Sequence, residues 1–168
     1  MKATFEILDD LSSAYADIAF VTKLWEDARG KHFAPPWAAI DLMQVPSKAI
    51  PRICVVDVVP SPLDFIYRFW GTGITQMHDL DATRQSVTTV PPAEYSTILF
   101  KQYELVVTAR TPMTYVCQFE DDKGLERRYV VRRFPLSDDG ETVTAVLSME
   151  EYGENNEDLK KLFGQFAP

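Results

Sequence analysis

Apolar residues at Ala14, Ile18, Val21, Trp25 and Ala28 recur at helical spacing, which predicts an amphipathic helix from Tyr15 to Arg29. Ser12 or Ser13 is available as its N-cap and Gly30 as its stop. After the Pro35-Pro36 break, Trp37, Ile40, Leu42 and Met43 predict a short second helix that Pro46 and Pro51 close off. The pattern changes at Arg52. Ile53 to Val59 is short and β-branched, turns at Pro60-Ser61-Pro62, and is followed by a second strand from Phe65 to Trp70, so the two form an antiparallel hairpin. Gly71-Thr72-Gly73 ends that strand, and the weak periodicity between Ile74 and Val90 predicts a helical turn followed by loop.

Pro91 and Pro92 suit the first turn of a helix. Tyr95, Ile98, Leu99, Tyr103, Val106 and Val107 then form one broad apolar face that ends at Arg110-Thr111-Pro112, making this the longest helix. The last third alternates with a period of two. Met113, Tyr115, Cys117 and Phe119 share one face of a strand, and Asp121-Asp122-Lys123-Gly124 turns it into a return strand from Leu125 to about Phe134. Past Ser137-Asp138-Asp139-Gly140, a final strand carries Val143, Ala145, Leu147 and Met149 on one face. The tail is acidic, with one amphipathic stretch at Leu159, Leu162, Phe163 and Phe166.

Two strands, intervening helices and three more strands predict an α+β domain with a five-stranded antiparallel sheet. The length of 168 residues suits one domain, and 46% hydrophobic content supplies its core. The formal net charge of -8 repels phosphate backbones and anionic lipid, which excludes bulk nucleic-acid binding and electrostatic membrane attachment. Met1 to Glu6, followed by Asp9 and Asp10, does not read as a secretory signal, and no apolar run is long enough to span a membrane. Cys54 and Cys117 with only His32 and His78 make a poor structural zinc set, so both thiols are expected reduced in a cytoplasmic protein.

The element order resembles that of a PAS domain, and more closely a bacterial group of short, stand-alone PAS-like proteins, from about Leu24 to Leu147. Trp25 and Arg29-Gly30 carry the resemblance, with Tyr67 to Thr72, His78, Asp81, Thr83, Ser86-Val87, Phe134 to Ser137, and Asp139-Gly140. It implies a five-stranded sheet with helices on one face, gripping a small cavity. The chain then divides into an N-terminal helical extension (1–51), a PAS-like core (52–150) and an acidic tail (151–168). Asp79 and Arg84 stand where the family pattern usually has glycine, which implies a changed loop path or a narrowed cavity mouth.

Few residues invite chemistry. His78 is a candidate general base or haem ligand, or else a histidine that fixes its loop by bonding Asp79, Asp81 or the backbone; the second reading is preferred. His32, beside the Pro-rich linker, is expected on the surface. Cys117 reads as a core thiol, since the Asn-Cys-Arg-type helical motif of flavin-binding PAS photosensors is absent, and Cys54 as core. Arg68 interrupts an aromatic strand and shares a face with Ile66 and Trp70 by alternation. Its guanidinium either clamps a ligand carboxylate or pairs with Asp57 or Asp64. Arg127, Arg128, Arg132 and Arg133 split between two faces and are expected to pair with Glu120, Asp121 and Asp122 across the hairpin. Tyr95, Tyr103, Tyr115 and Phe119 either line a cavity or pack as core.

The expected ligand-binding set is Arg68, Trp70, His78, Tyr103 and Tyr115, with no catalytic or metal set and no cofactor named by the residues. The expected function is a sensory or regulatory module that binds a small ligand or a protein partner. Nothing resembles an output domain, so a signal would pass by association. The first helix offers a stripe for a homodimer, or packs it on the back of the sheet. The alternative function is a cone-shaped α+β isomerase or hydrolase using His78 with Asp79 or Asp81 as base.

Overall fold

The computed structural model describes residues 1–8, 15–153 and 156–167. The chain opens with a strand that was not expected, β1 (Lys2–Leu8), in which Ala3 and Phe5 turn toward the core while Lys2, Thr4 and Glu6 face out. Helix α1 (Ala16–Arg29) follows; Ser12, Ser13 and Ala14 lie outside the described residues. The expected second helix is instead a series of one-turn 3-10 helices at Trp37–Ala39, Leu42–Gln44 and Ile50–Arg52; Ile40 and Asp41 between the first two are extended, and Pro46 and Pro51 lack the N–H donors that would carry an α-helix onward. β2 (Ile53–Pro60), β3 (Leu63–Trp70), α2 (Thr72–His78), α3 (Ala93–Ala109), β4 (Met113–Glu120), β5 (Glu126–Leu136), β6 (Ala145–Glu151) and α4 (Asn156–Gly164) complete the fold.

The strands form one antiparallel sheet in the order β1-β4-β5-β6-β2-β3, so the expected five-stranded antiparallel α+β sheet is present and extended by β1. Both faces are covered. On one, α2, α3 and α4 pack over Tyr67, Cys117, Phe119, Tyr129 and Val146. On the other, Ile18, Val21, Leu24 and Trp25 of α1 are buried against Val55, Phe134, Leu147 and Met149. The stripe of α1 is therefore spent on the sheet, and the surface expected for a second copy is used inside the chain. The reason is area: six strands expose a second apolar face, which α1 covers together with Ala34, Ile40, Val45 and Ala49 of the segment that follows it.

Several motif residues turn out to be joints between these layers. The Trp25 indole N–H donates to the Pro135 carbonyl at 2.8 Å, and the Ser137 N–H donates to the Pro35 carbonyl at 2.9 Å, which pins α1 and its following loop to β5. Asp139 accepts from the Thr142 hydroxyl, which does most to hold its carboxyl below the usual range, and also from the Thr142 and Glu141 N–H groups and the Ser137 hydroxyl, closing the turn before β6. Arg52 pairs with both Asp17 of α1 and Glu151 of β6. Asp79 and Arg84 adopt φ values of 51° and 68°. Both residues thus adopt the left-handed conformation that glycine would have supplied.

Gly71 sets the start of α2. A Cβ there would lie 2.2 Å from the Pro51 carbonyl oxygen and 2.6 Å from that of Ile53, the latter already accepting the Gly71 N–H at 3.0 Å. Backbone oxygens cannot rotate away as a side chain can. Gly71→Ala is expected to lower stability by about 1–3 kcal/mol, read as a lower urea midpoint. An unchanged midpoint would mean that the Pro51 turn is free to move.

Candidate functional site

Alternation along β5 sends Tyr129, Val131 and Arg133 to the α3 face and Val130, Phe134 and Leu136 to the α1 face. Arg133 is consequently not a surface partner of the hairpin acids, as expected, but a fully buried cation beneath α3. Its Nε and Nη2 donate to the Gln102 side-chain oxygen at 3.1 and 2.7 Å, and its Nη1 donates to the Ser148 hydroxyl at 2.8 Å. The guanidinium lies 4.0 Å from the centroid of the Tyr103 ring, a cation–π contact in a dry environment. Gln102 passes the network on: its amide donates to Cys117 Sγ at 3.2 Å, and its backbone carbonyl accepts the Tyr115 hydroxyl at 3.0 Å. The expected charge pairing is met by Arg127, whose guanidinium sits 3.0 Å from Asp121.

A second cluster lies on the same face. His78, the last residue of α2, is 2% exposed and boxed by rings: Phe163 of α4 at 4.1 Å, Tyr95 of α3 stacked at 5.2 Å, and Trp70 of β3 at 5.7 Å between centroids. Phe163 also stands 5.1 Å from Tyr95 and 5.1 Å from Phe119. Neither His78 Nδ1 nor Nε2, nor Trp70 Nε1, has a hydrogen-bond partner among the described residues. A buried polar group left unpaired costs about 1–3 kcal/mol. Burial pushes the His78 imidazole down to about 3, so the ring is neutral at ordinary pH.

The expected bond from His78 to Asp79 or Asp81 is not formed. Asp79 is exposed at the helix end, and the Asp81 carboxylate accepts instead from the Thr83 N–H at 2.9 Å and its hydroxyl at 2.6 Å. His78 points inward because it falls on the buried side of α2 with Ile74 and Met77. Alongside these clusters the Tyr95 and Tyr129 hydroxyls pair at 2.8 Å, and the Glu150 carboxyl accepts from the Tyr152 hydroxyl. Burial raises the Glu150 carboxyl, against the opposing pull of Tyr152, Arg133 and Arg52.

Four of the five residues expected to bind ligand, Trp70, His78, Tyr103 and Tyr115, therefore lie on the α3 face. Trp70 and His78 meet in the ring box, and Tyr103 and Tyr115 flank Gln102 in the polar network. Arg68 does not join them. Val55 pairs with Phe69 and Val56 with Tyr67, which leaves Arg68 unopposed as a β-bulge. The extra residue breaks alternation, so Trp70 swings to the Tyr67 face while Arg68 pairs with Asp57 and lies 5.9 Å over the Trp37 ring on the α1 side.

Gln102, Ser148 and Glu150 were not singled out from the sequence, whereas Arg133 reads there as a charge partner of the hairpin and Phe163 only as part of an amphipathic stretch. Gln102 was findable, since it sits on the apolar stripe of α3 between Leu99 and Val106. Ser148 and Glu150 were also findable, as the alternate face of β6. Cys54 and Cys117 are both buried, and burial pushes their thiols up to about 12 and about 11. Among the described residues no group of three or more His, Cys, Asp or Glu is placed to hold a metal ion, and no helix is long and apolar enough to cross a membrane.

No protein-family model matches the chain, and no curated protein matches it. Among solved structures it is similar to the dark-state blue-light photoreceptor Aureochrome1 LOV, at 12% identity over 78% of this chain and 92% of that one, with a TM-score of 0.48. The light-state form of the same photoreceptor gives 11% over 70% and 91%, TM-score 0.46. A fungal LOV domain photoreceptor gives 13% over 84% and 94%, TM-score 0.44. Similarity at this level carries neither a ligand nor an activity over to this chain.

Proposed function

We propose that the chain is a sensory or regulatory PAS-like module that recognises a small ligand on the α3 face and passes the signal to a protein partner. The observation that carries this reading is the ring box holding three buried nitrogens, two of His78 and one of Trp70, with no partner among the described residues. Buried polar groups are normally paired, and unpaired ones gathered in one place are what a ligand's polar edge would satisfy. Tyr103 and Tyr115, anchored through Gln102 and Arg133, hold the neighbouring wall rigid. Arg68 serves as a surface ion pair in this reading. Two unpaired, buried thiols support a reducing, cytoplasmic setting.

The enzyme alternative requires His78 beside Asp79 or Asp81. The separation of those carboxylates from the imidazole, and an imidazole that burial keeps neutral and dry, weigh against it.

The test is native purification followed by an absorption spectrum and small-molecule mass analysis before and after denaturation, with a thermal-shift screen on the ligand-free protein. A released compound, or a binder whose stabilisation is abolished in His78→Phe, is the expected result. Binders that act equally on His78→Phe would put recognition elsewhere.

A further inference from the structure

Helix α4 is too short to be helical by its own propensity, so its order comes from docking. It docks through Leu159, Leu162 and Phe163, while Glu157, Asp158, Lys160 and Lys161 remain in solvent. Phe163 is the member of this trio that enters the ring box, touching rings contributed by α2, α3 and β4. Phe163 has no atom that can pair with the nitrogens of the His78 ring it packs on. The apolar ring fits the space and fails its polar edge, whereas a flat ring carrying a donor for His78 and an acceptor turned toward the Trp70 N–H on the other side of the imidazole would meet both demands. A cleft of about 320 Å³ runs beside the plug, between α2, the Pro51-Arg52 turn and α4, with Gln76, Met77 and Tyr152 among its walls.

Resting on the ligand site proposed for the ring box, we infer that α4 is a resident plug whose Phe163 occupies the place of a one- or two-ring heteroaromatic ligand. Ligand entry and α4 docking then exclude each other. A ligand that binds only the unplugged state shifts the chain toward it by its full differential affinity. The released helix presents Leu159, Leu162 and Phe163 to a partner, which gives the ligand a mechanical output within this chain.

The probe is benzimidazole, with indene as its hydrocarbon counterpart of similar size, applied to the full-length protein. In Phe163→Ala the box is opened, and benzimidazole is expected to bind at least about tenfold tighter than to the unaltered chain and about tenfold tighter than indene. In the unaltered chain, saturating benzimidazole is expected to speed amide hydrogen exchange across residues 156–164 while α3 and β4–β6 keep their protection. Phe163→Leu provides the same comparison with most of the packing kept, should Phe163→Ala fail to fold. Equal binding of indene and benzimidazole, no binding to either variant, or binding that leaves α4 protected overturns the plug. A natural ligand recovered with α4 still protected would leave the sensor reading standing and remove the plug alone. Benzimidazole-driven release of α4 in a protein whose released helix engages no partner would do the reverse.

Discussion

Arg133→Ala is expected to cost about 3–5 kcal/mol of folding stability, a large share of what a domain of this size has. Two effects oppose each other. Removing the guanidinium relieves the desolvation of a buried charge that has no carboxylate within ion-pair distance among the described residues. It also leaves the Gln102 side-chain oxygen without its cation, removes one partner of the Ser148 hydroxyl, and opens a void beside Tyr103 that the close-packed surroundings of α3 cannot fill. With alanine the void and the unpaired oxygen act together, so the loss dominates. The double variant Arg133→Met with Gln102→Leu keeps the volume and removes both halves of the main polar contact, and is expected to recover most of the loss, to within about 1.5 kcal/mol of the unaltered chain. Urea midpoints at constant slope report both. A single-variant loss below about 1 kcal/mol would mean that Arg133 is solvated in solution and that the network does not hold α3 to the sheet.

Acid is expected to destabilise the protein through His78, by about 1.4 kcal/mol for each pH unit below 6.5 and about 2–3 kcal/mol by pH 4.5. The folded imidazole is pushed down to about 3 from 6.5, so the unfolded chain binds the proton first and gains from every fall in pH within that window. The groups facing His78 are Trp70 from β3, Tyr95 from α3 and Phe163 from α4, none of them a carboxylate that would stabilise the imidazolium. Glu150 works in the opposite sense. Its carboxyl is raised by burial, so stability is regained as pH falls through its folded value toward 4.5. Asp81, Asp121 and Asp139 are held below 3.8, and their contributions are lost only at lower pH. The comparison that isolates the histidine is the unaltered chain against His78→Phe, which keeps a ring in the box and carries no proton. The variant's stability is expected to change less steeply from pH 6.5 to 4.5; parallel curves would show that the imidazole protonates in the folded state without resistance.

Much of the order of elements was legible because it depends on local rules. A period of two in β4, a 3.6-residue period in α1 and α3, and prolines at the breaks are each satisfied within a few residues of chain. The missed elements are those whose local signal is weak. Strand β1 pairs only with β4, from more than a hundred residues away, and its alternation of Ala3 and Phe5 is too short to announce itself. Helix α4 was visible as an amphipathic stretch, but not that its Phe163 would reach His78.

For the site, residue type and period were enough to mark Tyr103 and Tyr115 as cavity-lining or core, since aromatic rings at the right period are worth most when buried, while Trp70 reads on the face of Arg68 and His78 as fixing its loop. Tertiary structure decided what each of them meets. One inserted residue in β3 moved Trp70 to the ring box and left Arg68 paired with Asp57, because a single-residue slip in a strand exchanges its two faces. Arg133 reads as a surface charge until β4 and β6 flank its strand and α3 lies over it, and only then do Gln102 and Ser148 come within hydrogen-bond reach. Periodicity reports the face on which a side chain lies, a property of its own segment. Its partner across the layer depends on registers and packing angles that no one segment contains.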